Sequence, residues 1–198
     1  DRLERDRWLV SEDRGYQFAD GVYEVVAVSD GALIDADWHM RRLHRSLEEL
    51  RIAAPMSDSA LGFVMRETAR RNRVDTGIVY LQVTRGVARR DHGFPGAGVR
   101  PAVVVTARRG RPPSEATTQA GIRVKSLPDV RWTRCDIKSI SLLPNVLAKQ
   151  SAREAGAYEA WQVDGDGYVT EGSSTNAWII DAEGRLITRP PEHAILNG

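Results

Sequence analysis

The chain has one cysteine, Cys135, and only three lysines, Lys125, Lys138 and Lys149, among its 28 basic residues. A single thiol excludes a disulfide framework and a cysteine-based zinc site, and it fits a reducing compartment. Long apolar runs are missing too: Val103–Val105 and Trp178–Ile180 are among the longest, far short of a bilayer span. No charged-then-apolar leader opens the chain, so a cytoplasmic protein is expected. Excess charge of either sign is absent. A formal net charge of +1 gives no strong field for nucleic acid or a membrane, so neither is expected as a partner. There is no Gly-x-Ser-x-Gly elbow, phosphate loop or dinucleotide fingerprint. His39, His44 and His193 have no companions at metal-ligand spacing and read as structural or surface residues.

What remains is an ordinary globular composition, 41% hydrophobic and 28% charged over 198 residues, enough for one generous domain or two small ones. Asp13–Tyr16 reads as a turn, and the β-branched and aromatic run Val22–Val28 as a strand ending at Ser29-Asp30-Gly31. Asp35 or Asp37 caps a helix through about Arg51, with Leu43, Leu47 and Leu50 on one face. A second helix runs from Ser57 or Asp58 to about Asn72. Strands follow at Ile78–Thr84 and Pro101–Ala107, separated by a Gly-rich charged loop, Arg85–Arg100. The Arg108–Glu115 stretch, with two prolines and a glycine, is the best linker. Beyond it come a short strand at Ile122–Ser126, a helix at Leu142–Ala155, and hairpins at Tyr158–Thr170 and Trp178–Thr188. The sum is two α+β domains.

Any chemistry that needs a primary amine has three candidates. Lys125 lies in a short strand, and Lys149 shares a helix with Gln150 and Arg153, a solvated face. Lys138, in Cys135–Ser139, has few charges near it. In an apolar setting desolvation disfavours the ammonium, and a neutral amine forms a Schiff base with a carbonyl; the alternative is a lysine paired with Asp136 or a distant carboxylate. Glu171–Asn176 mixes a carboxylate, a glycine and three hydroxyls, as a cofactor cradle or a hydrogen-bonded turn would. Thr84–Gly93 carries three arginines and His92, an anion receptor or an exposed basic loop. Arg42 faces a phosphate or water.

Together, Asp13–Val25, Val83–Gly86, Arg131–Ser139, Lys149-Gln150 with Glu154–Gly156, Thr170–Ser174 and Ile195–Gly198 resemble, in this order, the sequence blocks of the D-amino-acid transaminases. These are pyridoxal-phosphate (PLP) enzymes of fold type IV. The resemblance implies a small α/β domain at 1–107, a linker at 108–119, and a larger pseudo-barrel, PLP-binding domain at 120–198. The family continues for several dozen residues past the position of Gly198, so that larger domain is expected to lack its C-terminal part.

The resemblance also implies roles. Lys138 holds PLP as an internal aldimine and shuttles the Cα proton. Glu171 faces the pyridine nitrogen, Arg42 the phosphate, and Leu196 packs on the ring, with Ser173 and Ser174 near the cofactor. Tyr23 and Val25 line the substrate side. Arg90 and His92, reaching in from the neighbouring subunit of a homodimer, trap the substrate carboxylate. The implied reaction is ping-pong transfer of an amino group from a D-amino acid, of the D-alanine or D-glutamate kind, to a 2-oxo acid such as 2-oxoglutarate. An (R)-selective amine transaminase or a branched-chain L-amino-acid transaminase of the same fold is the alternative. A truncated, non-catalytic homologue is the alternative of another class.

Overall fold

A computed structural model describes residues 11–190 and 195–198; residues 1–10 and His193 lie outside the described residues. The chain forms two compact units: Asp1–Arg111 with Lys138–Ile140, and Pro112–Ile137 with Ser141–Gly198.

The first unit begins with a short helix, α1 (Arg14–Phe18), where the sequence suggests only a turn. Asp13 makes the difference, because its side chain accepts from the Gly15 N–H and caps the helix. A four-stranded antiparallel sheet follows, in the order β2 (Ala32–Leu33), β1 (Gly21–Ser29), β3 (Gly77–Thr84), β4 (Ala102–Arg109). Strand β1 alternates strictly: Val22, Glu24, Val26 and Val28 are buried, whereas Tyr23, Val25 and Ala27 face the other way. Register places Val22 opposite Val83, Glu24 opposite Leu81 and Val26 opposite Val79, so one face forms the core. Helices α2 (Ala36–Glu49) and α3 (Asp58–Arg71) pack on β1 and on β3 and β4, respectively. Leu43, Leu47, Leu61 and Met65 are the most deeply buried large apolar side chains of these helices, each contributing about 2 kcal/mol of apolar burial.

The second unit opens with α4 (Glu115–Ala120), which begins within the stretch expected to be linker, 108–119, and ends one residue past it. Ser114 caps it by accepting from the Thr117 N–H. Strand β5 (Val124–Pro128) lies parallel to β6 (Glu159–Val163), and the crossover between them carries α5 (Leu143–Glu154). Ala148, Ala152, Ala157 and Ala160 form the helix–sheet core with Leu127; small side chains let the helix lie close to the sheet. Strand β7 (Val169–Gly172) pairs antiparallel with β6, and β8 (Trp178–Ile180) with β9 (Leu186–Thr188) forms a separate hairpin.

Candidate active site

Of the three amines, Lys138 is the one whose backbone lies outside any regular helix or strand and is held by residues of both β1 and α2. Because β2 is only two residues long, the outer edge of β1 near Gly21 is open, and Lys138–Ile140 occupies it. The Tyr23 N–H donates to the Lys138 carbonyl at 3.0 Å, and the Ile140 N–H donates to the Gly21 carbonyl at 3.1 Å. Helix α2 contributes Ser46, whose Oγ accepts from the Lys138 N–H at 3.3 Å. The tripeptide thus belongs to the first unit, although its neighbours on both sides belong to the second.

The Lys138 side chain is not in the apolar setting that its sequence neighbours suggest. Its Nζ lies 4.6 Å from the centre of the Tyr23 ring, and its charge helps to hold the Glu24 carboxyl low. The local charge sparsity of residues 135–139 is misleading because Glu24 arrives from β1. Burial alone would raise the pKa of Glu24, which has no side-chain exposure, but its hydrogen bonds outweigh that and keep it lowered. Arg42 donates from Nε to Oε1 at 2.8 Å and from Nη2 to Oε2 at 2.7 Å, and His39 Nδ1 lies 2.7 Å from Oε2. Arg42 and His39 are one turn apart on α2, which puts both over the same carboxylate. On the opposite face of β1, Tyr23 stacks on Tyr80 with ring centres 5.6 Å apart, beside the half-buried Val25.

Arg90 and His92 lie in the exposed loop between β3 and β4, and they meet at one side chain. The Arg90 guanidinium is 4.6 Å from the Phe18 ring centre, and the His92 ring is 5.4 Å from it.

In the second unit, Glu171 sits at the end of β7. Arg131 donates to its Oε2, while Asn176 Nδ2 and the Leu196 N–H donate to Oε1 at 3.1 and 2.7 Å. Leu196 is thereby tied to Glu171 through its backbone, and its carbonyl accepts from Asn176 at 2.9 Å. Burial raises the Glu171 pKa against the pull of Arg131. Arg131 also forks onto Asp129, at 3.0 and 2.7 Å. Ser173 and Ser174 both donate their hydroxyls to Glu159, Ser174 at 3.0 Å. Burial pushes the Cys135 thiol up to about 11, and its Sγ donates to the Trp132 carbonyl at 3.1 Å.

A sequence model of the amino-transferase class IV family matches residues 21–198. The chain belongs to the class IV aminotransferases. It is 43% identical to a D-alanine aminotransferase of Bacillus licheniformis over 99% of its length, and 42% identical to one of Staphylococcus aureus over 94%. It spans 68% and 65% of those two relatives. Its fold matches that of the Escherichia coli branched-chain amino acid aminotransferase, with a TM-score of 0.81 at 21% identity, covering 98% of this chain and 66% of the other. The family is the one whose sequence blocks this chain resembles, and the two-domain fold of type IV is borne out.

Three residues of this class IV chain escape a reading of the sequence. Glu24 looks like one more strand residue until its partners on α2 are known. Arg131 belongs to a family-like block but shows no function locally. Glu159 is an unremarked strand carboxylate that collects Ser173, Ser174 and the Ala160 N–H. Lys149 is also not a simple solvated face: its Nζ donates to the Tyr158 carbonyl at 2.7 Å and pairs with Glu159 at 3.3 Å.

Proposed function

We propose that this chain provides the lysine, the pyridine-facing acid and the carboxylate trap of a PLP-dependent D-amino-acid transaminase. The observation that carries the reading is the clamp on Lys138, a lysine fixed through its own backbone by both β1 and α2. A catalytic amine needs that precision, since small displacements of reacting groups cost large factors in rate. The donor set fits the cofactor: an amine for its aldehyde, the Glu24-oriented Arg42 for its phosphate, and the buried Glu171 for a protonated ring nitrogen.

Bound PLP supplies an aldehyde that captures the substrate amine and a ring that takes up the electron pair left when the Cα proton departs. The remaining work falls to the protein. Lys138 Nζ takes the Cα proton and returns it to the cofactor side, acting as base and then as acid. Glu171, held by Arg131, Asn176 and the Leu196 N–H, would offer a carboxylate to the ring nitrogen. Leu196 would pack against the ring, Ser173 and Ser174 would hold the cofactor, and Tyr23 and Val25 would line the substrate side. Arg90 and His92 bind the α-carboxylate in the active site of a neighbouring copy, which makes the working form a homodimer, and the single cysteine of the chain suits a reducing cytoplasm.

The names of the relatives at 42–43% identity favour D-alanine-type substrates over branched-chain L-amino acids and simple amines. Full-length protein with PLP is expected to transfer the amino group of D-alanine to 2-oxoglutarate. Turnover of L-leucine but not of D-alanine overturns the D-amino-acid assignment.

A further inference from the structure

Loop 85–100 carries Arg90 and His92 on an exposed stretch, and Gly93, Gly96 and Gly98, three of its four glycines, leave that stretch little stiffness of its own. Two side chains that must meet one small carboxylate need a fixed separation, and free loop residues lose conformational entropy when held. The structure supplies restraints from α1. Arg14, 3% exposed, donates from Nη1 to the Asp91 carbonyl at 2.6 Å and to the Gly93 carbonyl at 3.2 Å. Its Nε is held by Asp20 at 2.7 Å, and Asp20 also receives Arg85. Further along the loop, the Phe94 ring takes Arg85 at 3.8 Å and Arg51 at 4.8 Å. These contacts fix the backbone, but none of them touches the Arg90 or His92 side chain.

Phe18 does. Its ring receives Arg90 at 4.6 Å and His92 at 5.4 Å, with the His92 ring tilted by 49°, and Arg14 at 4.9 Å. An aromatic face attracts a guanidinium through its quadrupole and offers an imidazole a tilted contact; an aliphatic side chain of similar size offers neither. We propose that Phe18 is a positioning residue, the shared seat that sets the separation and direction of Arg90 and His92 for the substrate α-carboxylate. It makes no contact with substrate itself. The proposal rests on the transaminase reading for the identity of the ligand, and on the geometry alone for the ordering of the pair.

The experiment compares Phe18→Leu and Phe18→Tyr in the full-length, PLP-loaded protein, with the NMR mobility of the Arg90 and His92 side chains measured alongside kinetics. Phe18→Leu is expected to raise the KM for both D-alanine and 2-oxoglutarate by about tenfold, since both present the same carboxylate, with kcat within about twofold. Phe18→Tyr, which restores the aromatic face, returns both KM values to near wild type. NMR order parameters of the Arg90 and His92 side chains fall in Phe18→Leu and recover in Phe18→Tyr, while those of the core methyls on β1 and β3 are unchanged. In a protein that turns over D-alanine, an unchanged KM in Phe18→Leu overturns the proposal. If the wild type transfers no amino group from D-alanine, the functional reading fails, and the side-chain measurement decides on Phe18: greater mobility of Arg90 and His92 in Phe18→Leu supports the seat, and unchanged mobility overturns it.

Discussion

Arg131 and Glu171 pair through side chains that are only 6% and 9% exposed. The same guanidinium forks onto Asp129, 13% exposed, so one cation serves two carboxylates in a desolvated site. Such a cation contributes less by its presence than is lost by its removal, because each carboxylate would then be buried without compensation.

Arg131→Gln is therefore expected to cost about 3 kcal/mol at pH 7, measured by urea unfolding. The loss should shrink at pH 4. Glu171 already has a raised pKa, and without the cation it rises further, so acid neutralises the uncompensated charge. A cost that is the same at both pH values would mean that the pair is screened by solvent and does not hold Glu171.

Glu24→Gln tests the other charged cluster. The Glu24 pKa lies below 4.5 in the fold. A group with a lowered folded pKa contributes stability that is present above its unfolded value and lost as the pH falls through the folded value. The wild type should therefore exceed Glu24→Gln in Tm at pH 7, and the two curves should converge below pH 4.5. PLP binding should weaken as well, because Arg42 loses the fork that orients it. A gap in Tm that stays constant down to about pH 3 would assign the effect to packing instead of charge.

How far these clusters are visible in the sequence depends on how far apart their parts lie along the chain. Local patterns locate β1, α2, α3 and β3 to within about two residues, because each buries a periodic face that a short window reveals. Helices α1 and α4 are missed because each is short and adjoins turn-forming residues, Asp13 and Gly15 at α1 and Gly110, Pro112 and Pro113 just before the Ser114 cap of α4. The family-like blocks contain Lys138 and Glu171, and the resemblance they carry points to Arg90 and His92 as well. The residues that hold them are legible only in three dimensions: Glu24 and Arg42 are 18 positions apart, Arg131 and Glu171 are 40 apart, and Arg14 and Asp91 are 77 apart. No periodicity encodes such pairings.

Gly86 opens the loop that carries Arg90 and His92. It has φ +100°, and a Cβ there would collide with the Arg100 carbonyl oxygen. Its own carbonyl accepts from the Arg14 N–H at 2.9 Å. Gly86→Ala must therefore displace the far end of the loop in addition to bearing backbone strain, at a cost of about 2 kcal/mol. Thermal unfolding should show a drop of several degrees. A stability equal to wild type would mean that the loop ends separate freely.

Lys138→Ala and Lys125→Met form the last comparison. Lys125 is the useful control because its Nζ has a purely local task, donating to Ser151 Oγ at 2.9 Å and to the Ser151 carbonyl at 3.3 Å. Removing it costs the hydrogen bonds between β5 and α5, about 1 kcal/mol, and touches no residue assigned to the site. Lys138→Ala removes the amine but leaves intact the backbone bonds to Gly21, Tyr23 and Ser46 that hold the segment on β1 and α2. The fold should persist in both variants, as circular dichroism will show. The visible absorption of lysine-bound PLP should vanish only in Lys138→Ala, together with amino transfer from D-alanine. Retention of that band in Lys138→Ala would move the covalent anchor to another amine, and its loss in Lys125→Met would identify which one.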